Sequence, residues 1–204
     1  GQSKNGISGI KVFYNQLELF SKNLKFNQKN IVTAEEILEK SIIEKHIFLI
    51  RENKLRQAIS LFIAKKTGVW KLFEKDNKQT KTIRFNGFRI RQQELLLNKI
   101  DAQWKDFFIK KGINPLIISY EEIQKDQNAV LDRILNFLEY QKSENFVYPV
   151  APIYVQSNNQ NEIFLERMLK IRKTFWIDVI DFRIKYYNCL SSYYWAMKLR
   201  FNIF

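Results

Sequence analysis

The stretch His46–Trp70, HIFLIRENKLRQAISLFIAKKTGVW, constrains the fold more than any other part of the chain. Ile47–Ile50 is too apolar for an exposed edge strand and matches a central parallel strand covered on both faces. A polar loop begins at Arg51. An amphipathic helix follows, with Leu55, Ala58, Ile59, Phe62 and Ile63 on one face at helical spacing. Arg56, Gln57 and Ser60 fall on another face, because offsets of three and four bring them together. A strand that delivers an arginine to its carboxyl end, just before a helix N-terminus, makes a natural anion site. The helix offers unpaired N–H groups and the guanidinium offers a fork of donors. A charge-assisted fork is worth roughly 1.5–3 kcal/mol and the helix dipole about 0.3–1 kcal/mol, so the arginine should dominate. The residues alone leave Arg51 two partners, an external anion or the neighbouring carboxylates Glu52 and Glu121.

The rest of the chain supplies the frame for this unit. Gly9–Tyr14 reads as a short strand after Gly6 and Gly9. Gly6, Gly9 and Lys11 do not make a phosphate loop, which needs a Gly-Lys-Ser/Thr run entering a helix. Thr33-Ala-Glu-Glu36 is a capping box, starting a helix that buries Ile37, Leu38, Ile42 and Ile43. Residues 71–88 are polar and irregular, a mobile loop of the kind that carries substrate contacts. A long helix is predicted over Arg89–Lys111, closed by Gly112 as its C-cap glycine. Pro115–Ser119 is a third apolar strand with Tyr120-Glu121-Glu122 at its carboxyl end. A helix over Asn128–Leu138 then buries Val130, Leu131, Ile134, Leu135 and Leu138. Strands alternating with helices argue for an α/β fold, a parallel sheet with helices on both faces, over residues 1–160. Pro149 and Pro152 mark a loop, and residues 161–204 form an aromatic-rich helical extension. That extension has three readings: a helix pair packed on the domain, a surface for a partner or a homodimer, or peripheral membrane contact.

A chain of 204 residues is one domain, or one domain with an appendage, and needs no disulfide or metal staple. Cys189 is its only cysteine, which excludes an intrachain disulfide and fits a reducing compartment. The net charge of +13 fits attraction to nucleic acid, anionic lipid or another polyanion, or else a lysine-rich composition without function. The basic residues are spread along the chain rather than gathered in one stripe, which favours the compositional account. The opening GQSKNGISGI lacks the apolar core of a signal peptide. Tyr186–Met197 is too short for a membrane span and contains Asn188, Ser191 and Ser192. The expected location is cytoplasmic or membrane-associated.

Ile47-Phe48-Leu49-Ile50-Arg51, Gln57-Ala58-Ile59-Ser60 and Thr67-Gly68-Val69-Trp70 together resemble the bacterial trehalose 2-sulfotransferase family of carbohydrate sulfotransferases. Trp104, Phe107, Phe108, Gly112-Ile113-Asn114-Pro115-Leu116 and Tyr120-Glu121 with Asp126 continue the pattern in order. Gly6–Lys11 and Asn15-Gln16-Leu17 resemble the family's second strand and its continuation, so the likeness spans roughly Gly6 to Met168. It implies a nucleotide-kinase-like three-layer fold and 3′-phosphoadenosine 5′-phosphosulfate (PAPS) as donor, with no metal. It also implies that Arg51 and Ser60 hold the donor's 3′-phosphate, that Tyr120 lies near the adenine, and that Glu121 is structural at the start of the following loop.

The likeness is incomplete at one place. Sulfotransferases hold the 5′-phosphosulfate in a basic Ser/Thr/Gly loop after their first strand, and nothing before Gly9 can be that loop. The family's proposed glutamate base has no counterpart either, so no catalytic residue is assigned. Because the missing strand would be central, the expectation is a chain truncated at its N-terminus, the C-terminal part of a longer gene product. His46, the only histidine, precedes the strand whereas the anion site follows it. Roughly 13–16 Å of strand separates them, too far for a general base, and His46 reads as structural. The expected activity is sulfuryl transfer from PAPS to a hydroxyl of a carbohydrate or glycolipid acceptor, with the 71–88 loop and the aromatic segment as acceptor contacts. The alternative is a non-catalytic remnant, a basic binding protein that meets nucleic acid or anionic membrane. As a partner of the sulfotransferase, nucleic acid is not expected.

Overall fold

A computed structural model describes residues 9–14, 43–70, 83–149 and 159–201, with side chains as far as Asn188. Strand β1 (Ile47–Ile50) leads into helix α1 (Lys54–Thr67), and the long helix α2 (Gly87–Lys110) returns the chain to strand β2 (Leu116–Ser119). The strands pair in parallel with Ile47 opposite Leu116 and Ile50 opposite Ser119, and the Leu116 N–H extends the ladder to the His46 carbonyl at 2.9 Å. Helices α3 (Tyr120–Lys125) and α4 (Gln127–Phe137) follow, then α5 (Asn159–Arg172) and α6 (Trp176–Phe201).

Each helix starts and stops for a local reason. The Asn53 side chain caps α1 by accepting from Arg56 N at 2.9 Å, and Asn86 caps α2 by accepting from Arg89 N at 2.9 Å. That cap starts α2 two residues ahead of the expected Arg89. Gly112 ends α2 in the left-handed region at φ 63°, donating to Ile109 O at 3.2 Å while Ile113 N reaches Phe108 O at 2.9 Å. This is the Schellman pattern, and it turns the chain sharply into β2. Gly68 closes α1 similarly, at φ 74° with its N–H on Ala64 O at 2.8 Å.

The predicted stripe of α1 is buried in full: Leu55, Ala58, Ile59, Phe62 and Ile63 form one core with Ile90 of α2 and Phe164 and Met168 of α5. Helix α5 begins at Asn159, two residues before the expected start of the extension, and Met168 is wholly buried beside the α1 stripe. A second core gathers Phe48 of β1 with Phe107 and Phe108 of α2, and Trp104 stacks on Phe108 with ring centres 5.7 Å apart.

Several expectations change here. Gly9–Tyr14 is not a strand: it runs as irregular chain, anchored by Val12 and Tyr14 against the second core while Ile10 and Phe13 face outward. Among the described residues it has no strand to pair with, and its alternating pattern places Val12 and Tyr14 inward for packing. The described sheet has two strands, and Ile47, Leu49 and Ile117 are exposed where a strand covered on both faces was expected. Tyr120–Lys125 is helix, not loop. Of the α4 stripe only Val130 is buried; Leu131, Ile134, Leu135 and Leu138 are half-buried. The capping box at Thr33, Gly6 and most of the polar 71–88 stretch lie outside the described residues.

Helices α5 and α6 are tied to α2 by an ion network. Arg91 of α2 forks onto Asp181 of α6, with Nε to Oδ1 and Nη2 to Oδ2 both 2.9 Å, and its Nη1 donates to Glu94 Oε2 at 2.8 Å. Glu94 is buried, and Arg172 of α5 donates to its other oxygen. A carboxylate is tolerable there because two guanidiniums flank it. Helix α5 is also clasped to α1, where Arg56 forks onto Glu162 at 2.6 and 3.0 Å.

Two predictions follow from this packing. Met168→Ala should lower the unfolding free energy by about 2–5 kcal/mol in urea titrations, since the buried site cannot fully collapse. The hydrogen bonds from Arg91 hold the Asp181 carboxyl below the usual carboxylate range. Its contribution is therefore complete above the unfolded value of about 3.9 and is lost as pH falls through the lower folded value. The fall in the urea midpoint between neutral and acid pH should be smaller for Asp181→Asn than for the wild type.

Candidate functional site

Both strands point their carboxyl ends at one edge of the sheet, where ligands bind in open parallel sheets. Arg51 leaves β1 there, and Tyr120 leaves β2 as the first residue of α3. The two side chains meet: the Arg51 guanidinium carbon lies 4.6 Å from the centre of the Tyr120 ring. A planar guanidinium can lie over an aromatic face and still present its edge as a fork of donors. Arg51 is about three-quarters buried, and its Nε is hidden from solvent without a hydrogen-bond partner among the described residues. An unpaired buried donor on a cation is costly, and a bound anion would relieve it.

Glu121 holds this arrangement together. Its Oε2 accepts from Glu52 N at 2.9 Å and its Oε1 from Asn53 N at 3.2 Å, so the carboxylate clasps the loop between β1 and α1. The nearest approach to Arg51 is 3.9 Å, from Nε to Oε1, close enough for attraction but too far for a hydrogen bond. Burial pushes the Glu121 carboxyl up. The backbone N–H groups of Glu52, Asn53 and Glu121 itself, with the Arg51 charge, outweigh that and leave it below the usual carboxylate range.

The expected anion seat at the head of α1 thus needs correcting. Asn53 Oδ1 takes Arg56 N, Glu52 O takes Lys54 N at 3.0 Å, and the carboxylate of Glu121 takes the two loop N–H groups before them. The chain supplies its own anion there.

Ser60 stands half-buried in the second turn of α1, about 9 Å along the helix axis from Lys54. No hydrogen bond joins its hydroxyl to Arg51 or Tyr120 within the described residues. His46 lies at the opposite end of β1, edge-on to Phe108 at 6.0 Å, and burial lowers its pKa. Among the described residues no three His, Cys, Asp or Glu side chains gather where a metal could sit.

The sequence reading missed the device that turns β2 into α3. The Ser119 hydroxyl accepts from Glu122 N at 3.0 Å, and Glu122 Oε2 accepts from Ser119 N at 2.7 Å, a reciprocal capping box. The pattern Ser119-x-x-Glu122 was visible, but it overlaps an apolar strand rather than preceding an apolar run. Arg133 of α4 braces it, donating to Glu122 Oε1 at 2.5 Å and to Ile117 O at 3.1 Å.

A family model described as Stf0 sulphotransferase matches residues 1–169, most of the 204-residue chain. The chain belongs to the Stf0 sulphotransferase family. Comparison with curated proteins returns no match. The matched region of this sulphotransferase includes β1, α1, α2, β2, α3 and α4 in full and ends inside α5, so Arg51, Ser60, Tyr120 and Glu121 all fall within it.

Replacing Glu121 tests the clasp directly. Glu121→Ala leaves two backbone N–H groups without their acceptor and should cost about 1–3 kcal/mol in denaturant unfolding. The Glu121 contribution is complete above an unfolded value of about 4.3 and disappears as pH falls through the lower folded value. An NMR titration of its side-chain carboxyl should accordingly give a midpoint below that of an exposed glutamate.

Proposed function

We propose that this chain binds PAPS through Arg51, Ser60 and Tyr120, as the 3′-phosphate end of the donor site of a sulfotransferase that sulfates a hydroxyl of a carbohydrate or glycolipid. The observation that carries the reading is the Arg51 guanidinium, set over the Tyr120 ring at the carboxyl ends of two parallel strands, its buried Nε without a hydrogen bond among the described residues. A fork of charged donors suits a dianionic 3′-phosphate, and the flat ring beside it suits an adenine. Ser60 would add a neutral hydrogen bond to the phosphate from α1. Family membership supports sulfuryl transfer in general, and PAPS is the donor that fits a phosphate grip of this kind.

In this reaction an acceptor oxygen attacks sulfur in line. The bond from sulfur to the phosphate oxygen breaks, adenosine 3′,5′-bisphosphate leaves, and the acceptor proton passes to a base. Arg51, Ser60 and Tyr120 act at the far end of the donor, where they position it rather than touch the reacting atoms. Binding energy gained there is useful when it orients the sulfuryl group for attack. The reading places the reaction in the cytoplasm or at the inner face of a membrane.

A thermal-shift titration with adenosine 3′,5′-bisphosphate tests the assignment without needing the acceptor. At a concentration of 100 times its dissociation constant the ligand should add about 2.7 kcal/mol, a rise of roughly 5–10 °C for a chain of this size. Arg51→Ala, shown folded by circular dichroism, should lose most of that rise. No shift in the wild type, or an equal shift in Arg51→Ala, would remove these residues from the donor site.

A further inference from the structure

The outward face of α6, with Phe175 just before it, carries a stripe of aromatic side chains that the described residues leave exposed. Phe175, Val179, Phe182 and Tyr186 recur at spacings of four, three and four residues, the repeat that keeps side chains on one helical face. Phe175, Phe182 and Tyr186 are 66%, 70% and 60% exposed, and exposed Trp176 stacks on Phe175 with ring centres 4.8 Å apart. The packed side of the helix is a different one, where Ile184 is buried and Asp181 is bound by Arg91. The stripe also lies beyond residue 169, outside the region that matches the sulphotransferase family.

The charges bordering the stripe indicate what covers it. Exposed Arg183 directly follows Phe182, exposed Lys185 directly precedes Tyr186, and exposed Lys173 stands in the turn before Phe175. Asp178 is the one exposed acid beside them, and the whole chain carries +13. A second copy laid on this face would bring two basic borders together on two strongly positive molecules. An anionic surface neutralises both. Aromatic rings flanked by Lys and Arg are the composition of helices that lie in the headgroup layer, where rings reach the acyl boundary and cations meet lipid phosphates. No described helix is long and apolar enough to cross a membrane, so the contact is one of lying on the surface.

We propose that α6 docks the protein on an anionic lipid surface through Phe175, Phe182 and Tyr186, with Lys173, Arg183 and Lys185 on the lipid headgroups. The docking face is remote in sequence from Arg51 and Tyr120, and neither reading depends on the other. The full chain should sediment with phosphatidylcholine vesicles doped with phosphatidylglycerol, not with phosphatidylcholine alone, and salt should release it. Phe182→Ser with Tyr186→Ser should abolish sedimentation while leaving the circular dichroism spectrum and the response to adenosine 3′,5′-bisphosphate unchanged. Arg183→Gln with Lys185→Gln should weaken partitioning roughly 25-fold, at roughly fivefold per cation. Three results would overturn the proposal. They are no sedimentation with doped vesicles at low salt, full sedimentation of the double aromatic variant, and a wild-type dimer that the same variant splits into monomers, which would assign the stripe to a second copy.

Discussion

The Glu121 carboxylate is the joint on which the site depends. Two short parallel strands end side by side, but their carboxyl ends would be free to splay without a link between the loops that leave them. Glu121, at the start of α3, accepts from the N–H groups of Glu52 and Asn53 in the loop before α1. Hydrogen bonds to a charged group are worth roughly 1.5–3 kcal/mol, about twice a neutral one, so this clasp outweighs any single cap nearby. Its consequence is the placement of Arg51 over Tyr120, one residue on the near side of each loop. The same carboxylate meets the two loop N–H groups just ahead of α1, so the chain places a charge of its own beside the head of that helix.

The helices that back this edge are held by two kinds of chemistry. Helix α5 belongs to the apolar core, where Phe164 and Met168 interleave with the α1 stripe and Ile90. Helix α6 is held by buried Ile184 and by charge: Asp181 to Arg91, and through Arg91 to the buried Glu94, which Arg172 also grips. Charge pairing leaves the far face of α6 uncommitted. An aromatic stripe can therefore remain on the surface without a loss of core packing.

Much of this was legible in the residues. Helix α1 has five apolar residues at helical spacing and a glycine past its end, and all five are buried as read. Gly112 closes α2 because only a left-handed residue lets the chain reverse toward β2. The pairing of Arg51 with an anion was legible as a choice between an outside phosphate and a neighbouring carboxylate. Glu121 turned out to serve the loop through hydrogen bonds and the arginine through charge alone at 3.9 Å, a division that no spacing rule indicates. Gly9–Tyr14 has the alternation of a strand and yet is not one, since alternation says which side is apolar and not whether a neighbour exists. The helix at Tyr120–Lys125 went unread because its cap, Ser119, is also the last residue of a strand.

The sequence by itself determined the local elements: the α1 stripe, the Gly112 end of α2, and two apolar strands. These depend on contacts a few residues apart, where periodicity and capping act directly. Tertiary structure alone decided which strand lies beside which, that Arg51 lies over Tyr120 across 69 positions of sequence, and that Glu121 clasps the loop ahead of α1. Those outcomes depend on distances between segments far apart in the chain, and a carboxylate has the same identity whether it meets a backbone N–H, a guanidinium or water.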